Sequence, residues 1–103
     1  MTRGTTPTYT LTLDDETIDL SQAQSVYATF RQGRRKVRKS GDDITVSGHT
    51  ATVSLTQAES LDFLAGEEPA RVQLNWVYAN GARGASEIVP LPVRDTLEPE
   101  VLT

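Results

Sequence analysis

The part of the chain with the strongest chemical character is a short basic stretch. It holds six of the ten lysines and arginines, although the whole chain carries a net charge of −4. These candidate interaction residues are Arg31, Arg34, Arg35, Lys36, Arg38 and Lys39. Cations spaced along a ribbon can meet carboxylates on a partner protein or neutralise the phosphates of a nucleic acid. Three interpretations therefore stay open at this point: an acidic protein surface, a nucleic acid, or a solvated strand face.

Two aromatic residues lie close to this stretch and bear on the nucleic-acid interpretation. Tyr27 and Phe30 could stack on bases beside the cations. However, Phe30 falls on the apolar side of its strand, where a place in the core is expected. The negative net charge also differs from the basic balance typical of nucleic-acid-binding domains. We therefore rank an acidic protein partner above a nucleic acid.

The sequence contains few residues that could support catalysis. The chain has no cysteine, which excludes thiol nucleophiles and disulfides, and its one histidine is His49. His49 falls at the tip of a predicted hairpin, where no second residue would support it as a general base. The acids Asp14, Asp15 and Glu16 form one turn and Asp42 and Asp43 another, without the spacing of a calcium loop. We predict a protein that is not an enzyme and needs no cofactor or metal.

Alternating apolar and polar residues predict a chain built of short strands. Such alternation is found over residues 8–13, 26–32, 35–39, 44–47 and 50–55, with a brief extended segment at 18–20. The strands before and after Gly33-Arg34 are expected to pair as a hairpin that projects the basic side chains. A second hairpin is expected around Gly48-His49.

One helix interrupts the strands. Thr56 and Glu59 have the spacing of a capping box, in which each side chain accepts a backbone N–H at the start of a helix. Apolar residues at helical spacing follow, and Gly66 is expected to end the element. We predict a short crossover helix from Thr56 to Ala65.

The last hairpin supplies most of the predicted core. Apolar residues occupy alternate positions from Val72 to Tyr78, and Trp76 is expected at the centre of the core rather than in a carbohydrate or small-molecule site. Asn80-Gly81 predicts a type I′ turn, which needs two residues with positive φ. Pro90 and Pro92 cannot donate ladder hydrogen bonds, so the final strand is expected at a sheet edge.

Together these patterns predict an all-β fold. It is an immunoglobulin-like antiparallel β-sandwich of about seven strands in one domain, residues 1–94. Residues 1–6 are expected to be a loose lead-in, and residues 95–103 a flexible C-terminal tail. The first residues contain no apolar run, so no signal peptide is predicted.

Four segments of the chain carry a resemblance to a known group of proteins. They are residues 12–21 (Thr-Leu-Asp-Asp-Glu-Thr-Ile-Asp-Leu-Ser), 26–33 (Val-Tyr-Ala-Thr-Phe-Arg-Gln-Gly), 55–63 (Leu-Thr-Gln-Ala-Glu-Ser-Leu-Asp-Phe) and 72–76 (Val-Gln-Leu-Asn-Trp). The chain resembles the small structural proteins of tailed bacteriophages and prophages of Gram-positive gut bacteria. More distantly, it is similar to the immunoglobulin-like N-terminal module of phage baseplate upper proteins.

The resemblance implies a role in assembly and no catalytic residues. A baseplate, tail or capsid accessory protein would contact other phage structural proteins, with self-association as a further option. It would be found in the host cytoplasm during assembly and then in the virion. The alternative function is a nucleic-acid-binding module that uses the basic ribbon from Arg31 to Lys39. No membrane partner is expected.

Overall fold

Two antiparallel β-sheets pack against each other around a single core. The computed structural model describes residues 1–101, and these contain eight strands, one α-helix and two 3-10 turns. The strands are β1 (Thr8–Thr12), β2 (Ser25–Gln32), β3 (Arg35–Ser40), β4 (Ile44–Ser47), β5 (Thr50–Ser54), β6 (Ala70–Val77), β7 (Arg83–Ala85) and β8 (Val89–Leu91), and the helix is α1 (Gln57–Leu61).

The small sheet has the strand order β1-β5-β4, and the large sheet has the order β3-β2-β6-β7, with β8 also paired to β6. All of these pairings are antiparallel. The predicted all-β antiparallel sandwich is therefore confirmed, with eight strands rather than about seven.

The core is formed where the inner faces of the two sheets meet. Strand β2 contributes Phe30, β6 contributes Leu74 and Trp76, and the small sheet contributes Val53, all at most 3% exposed. Burial of an apolar side chain of this size stabilises a fold by about 1.5–3 kcal/mol. Trp76 belongs to this cluster as predicted.

The β6–β7 hairpin has a different turn from the predicted one. Gly81 has a φ of 86°, but within residues 1–101 no residue other than glycine has a positive φ, so Asn80 does not adopt the conformation of a type I′ turn. Tyr78 donates its N–H to the Ala82 carbonyl and accepts from the Gly81 N–H. The connection is thus a loop of three residues, in which one positive φ is enough.

Helix α1 is shorter than predicted. The capping box is present, because Thr56 accepts from the Glu59 N–H and Glu59 accepts from the Thr56 N–H. However, the helix ends at Leu61 rather than at Ala65. The reason is Gln32, a buried residue of β2 whose side-chain oxygen takes the N–H of Leu64 at 2.8 Å. The Gln32 amide nitrogen also donates to the carbonyls of Leu64 and Glu68, each at 2.8 Å, which fixes the loop after the helix.

Residues 18–20 do not form a strand, although Asp19 has extended backbone angles. A 3-10 turn spans Leu20–Gln22, and the Asp19 side chain accepts from the Ser21 N–H at its start. The Leu20 side chain is buried, and its N–H donates to the Gly48 carbonyl at 2.7 Å. Asp19 therefore caps the turn and Leu20 enters the core, and this local structure takes the place of strand pairing.

The lead-in, residues 1–6, is tied to the fold rather than loose. Thr2 forms a parallel bridge with Arg94, and the Gly4 N–H donates to the hydroxyl of buried Ser60. Arg3 forms an ion pair with Asp95 at 2.8 Å. The flexibility of residues 95–103 stays a prediction, and residues 102 and 103 lie outside the described part of the chain.

The final strand lies at an edge of the large sheet, as the prolines predicted. Both β7 and β8 pair with β6 alone. Between them, the Ser86 hydroxyl accepts from the Leu74 N–H at 2.9 Å and so continues the ladder where the edge is interrupted. Prolines and an interrupted edge discourage pairing with other chains.

Candidate interaction surface

The basic stretch forms the β2–β3 hairpin, as predicted. Gly33 has a φ of 59° at the turn, and the register pairs Arg31 with Lys36 and Gln32 with Arg35. Successive side chains of a strand point to opposite faces of the sheet. The six predicted residues therefore do not share one surface.

Two of the six point to the inner face of the large sheet. Lys39 is buried, and its ammonium lies 2.6 Å from a Glu59 carboxylate oxygen. Arg35 lies 3.8 Å from Glu67, with both side chains about half exposed. Lys39 is thus engaged within the fold and unavailable to a partner. Arg34 lies exposed in the hairpin turn.

The other three cations lie on the outer face of the large sheet. Arg31 on β2 and Lys36 on β3 are directly opposite each other, and Arg38 lies one position further along β3 on the same face. All three are exposed.

A fourth cation, which the sequence did not single out, completes this surface. Arg71 of β6 pairs with Arg31, so Lys36, Arg31 and Arg71 form a row across three neighbouring strands. We call these three residues the basic row. Since adjacent strands are about 4.8 Å apart, the row spans about 10 Å. The signal in the sequence is the alternation of β6, which puts Arg71 on the face opposite Val72, but the pairing of β6 with β2 could not be read from it.

The basic row has no internal counter-charge. Among residues 1–101, no carboxylate lies within 4.0 Å of the charged groups of Lys36, Arg31 or Arg71. One acid, Glu68, lines the depression that surrounds the row. A row of exposed and unpaired like charges repels itself, so a bound anion would relieve this repulsion.

A shallow depression of about 470 Å³ surrounds the row. Its polar floor contains Gln73 and Asn75 of β6, and Ile88 on its margin is 57% exposed. Cations, amide groups and one apolar side chain together fit a carboxylate-bearing peptide segment.

The two aromatic residues near the row are not free to stack on bases. Phe30 is fully buried, and its ring lies 5.8 Å from that of Tyr9 in the core. The guanidinium carbon of Arg38 lies 5.3 Å from the centre of the Tyr27 ring, a cation–π arrangement. A platform of exposed aromatic rings, as single-stranded nucleic acids require, is absent from the described part of this surface.

The other residues considered for catalysis or metal binding lie in turns. His49 lies at the β4–β5 tip, where its carbonyl accepts from the Leu13 N–H at 2.8 Å. Asp15 accepts from the N–H and hydroxyl of Thr17, and these hydrogen bonds lower the pKa of its carboxyl group. Within residues 1–101, no group of three or more histidine, cysteine or acidic side chains could hold a metal ion.

A comparison with protein-family models gave no match, and a search of the curated proteins gave none either. Among residues 1–101, no helix has the length and apolar character needed to cross a membrane. The fold and the surface are therefore the observations from which a function can be argued.

Proposed function

We propose that this protein is a non-enzymatic binding module that docks the outer face of its large sheet on an acidic protein surface. The observation that carries the proposal is the basic row, Lys36–Arg31–Arg71, which is exposed and without a carboxylate partner in residues 1–101. Complementary charge steers such an encounter and fixes its register.

The biological setting of the proposal is the assembly of a tailed phage or prophage virion. Its support is the resemblance of residues 12–21, 26–33, 55–63 and 72–76 to small phage structural proteins. In this setting the module acts as a baseplate, tail or capsid accessory protein, first in the host cytoplasm and then in the particle.

An acidic protein is favoured over a nucleic acid on three grounds. The chain carries 14 acids against 10 lysines and arginines, so a polyanion would be repelled from most of the molecule. Phe30 is buried and Tyr27 lies under Arg38, so the two aromatic residues near the row are engaged within the fold. Finally, a row of about 10 Å suits a few carboxylates rather than a long phosphate backbone.

The test uses a charge reversal at the row, Arg31→Glu with Lys36→Glu. Both residues are exposed, so we expect the thermal midpoint to stay within a few degrees of the wild type. The matched control is Arg94→Glu with Thr45→Glu and Ser47→Glu, which changes the net charge equally at exposed residues outside the large sheet.

Tagged protein is incubated with nuclease-treated lysate of an induced prophage host, and captured proteins are identified by mass spectrometry. We expect capsid, tail or baseplate proteins with the wild type and the control, and their loss with the row variant. Equal capture by the row variant would remove the basic row as the docking surface. Nucleic acid as the only retained species, from untreated lysate, would favour the alternative function.

A further inference from the structure

The end of the described chain is an acidic segment, opposite in charge to the basic row. Residues 95–101, here called the acidic segment, contain Asp95, Glu98 and Glu100 and no cation. Two apolar side chains of the segment are open to solvent: Leu97 is 105% exposed and Val101 is 50% exposed. Contact of these two side chains with a partner would remove apolar area from water, which favours association.

The start of the acidic segment is fixed to the fold, and the residues after it are mostly exposed to solvent. Asp95 is occupied by Arg3 at 2.8 Å, and the lead-in pairs with Arg94, so the root of the segment is fixed. Within residues 1–101, the carboxylates of Glu98 and Glu100 meet no cation. Two exposed carboxylates without an ion pair and two exposed apolar groups are thus presented together, although Glu98 accepts the Glu100 N–H at 3.2 Å.

The basic row offers the complementary set. Its cations form no ion pair within residues 1–101, and Ile88, which lines the same depression, is 57% exposed. Carboxylates of the acidic segment would meet Lys36, Arg31 and Arg71, while Leu97 or Val101 would cover Ile88. The row supplies cations and an exposed apolar side chain, and the segment supplies carboxylates and exposed apolar side chains. The two surfaces are therefore complementary in charge and in apolar area.

We propose that the acidic segment of one copy docks on the basic row of a second copy. This inference rests on the proposed function of the row and names a second copy of this chain as its acidic partner. The two surfaces differ, so the contact is head-to-tail and produces a ring or an open chain of subunits, according to whether the rotation closes. A small contact of this kind is weak and sensitive to salt.

The experiment measures the mass of the full chain by sedimentation at increasing concentration in low salt. We expect the wild type to associate, and both Glu98→Lys with Glu100→Lys and Arg31→Glu with Lys36→Glu to stay monomeric. The variant that combines all four changes restores the opposite charges with exchanged signs, and we expect it to associate again. A wild-type chain that remains monomeric throughout, or a combined variant that does not associate, would overturn the inference.

A peptide of residues 94–103 tests the contact separately from assembly. We expect it to bind the wild type and to bind the Arg31→Glu, Lys36→Glu variant at least tenfold more weakly. A poly-L-glutamate probe distinguishes the two proposals. If it binds at the row and the peptide does not, the second-copy inference is overturned and the proposed function stands. If neither probe binds, both are overturned.

Discussion

Lys39 shows how burial changes the meaning of a charged residue. Its sequence neighbours are exposed cations, but Lys39 is 9% exposed and its ammonium lies 2.6 Å from Glu59. Glu59 also completes the capping box of α1 through the Thr56 N–H. One carboxylate therefore joins the edge strand β3 to the start of the helix.

We expect Glu59→Gln to lower the free energy of unfolding by about 1–3 kcal/mol, because the change leaves Lys39 largely buried without a counter-charge. In the double variant Lys39→Met, Glu59→Gln, no buried charge remains, so its loss should be smaller than that of Glu59→Gln alone. Urea unfolding at pH 7 measures both. A double variant less stable than Glu59→Gln would contradict this account of the pair.

The same pair predicts a dependence of stability on pH. Burial would raise the pKa of Glu59, but hydrogen bonds and charge from Lys39, together with hydrogen bonds from Thr56, hold it below its ordinary value. A carboxyl group whose pKa is lower in the folded state stabilises the fold above its unfolded pKa of about 4.3. This contribution is lost as the pH falls through the folded pKa. The stability difference between wild type and Glu59→Gln, measured by urea unfolding, should thus shrink below about pH 4.3; a constant difference would contradict the lowered pKa.

Among the elements, strand β7 can pack beside Trp76 because Gly84 has no side chain. Gly84 lies opposite Trp76 in the β6–β7 register, and a methyl group at Gly84 would overlap the indole ring at Cε2, Nε1 and Cζ2. The flat ring thus packs directly on the backbone of the edge strand. The contact of this glycine with Trp76 depends on the pairing of two strands, so the sequence alone does not indicate it.

We expect Gly84→Ala to destabilise the protein by about 1–3 kcal/mol, because the core must shift to relieve the overlap. The emission of Trp76, the only tryptophan, should move to longer wavelength as the ring is displaced. The matched test is the same change in a Trp76→Phe background, where a smaller ring leaves room and the cost should fall. Equal cost in both backgrounds, measured by thermal unfolding, would show that the ring does not determine it.

Elements set by local pattern were predictable, and elements set by distant contacts were not. The alternation of Val26 to Gln32 and the capping box at Thr56 specify their own structures, and both are confirmed. The end of α1 was missed because Gln32, distant in sequence, takes the Leu64 N–H. Likewise, the basic row could be half predicted: Arg31 and Lys36 share a hairpin, whereas Arg71 joins them through the β2–β6 pairing.

At the scale of the whole molecule, the distribution of charge over the surface differs from its distribution along the sequence. A linear run of six cations suggested one patch, but the strands divide it between two faces, and a cation from another strand extends the outer one. Most of the acids lie in loops and turns and in residues 95–101, while Glu68 lines the depression around the basic row. A protein with net charge −4 therefore presents a local positive surface, which suits directed contact with an acidic partner.

The two ends of the described chain form one unit with α1, and this gives the last prediction. Deleting residues 1–6 removes the pairing with Arg94 and two of the three hydrogen bonds of the fully buried Ser60 hydroxyl. Each hydrogen bond lost costs about 0.5–1.5 kcal/mol, so we expect the thermal midpoint to fall by roughly 5 °C or more. The matched control deletes residues 97–103, where Leu97 is fully exposed, and should leave the midpoint within about 2 °C. Equal midpoints for the two deletions, measured by circular dichroism, would mean that the lead-in does not stabilise the sandwich.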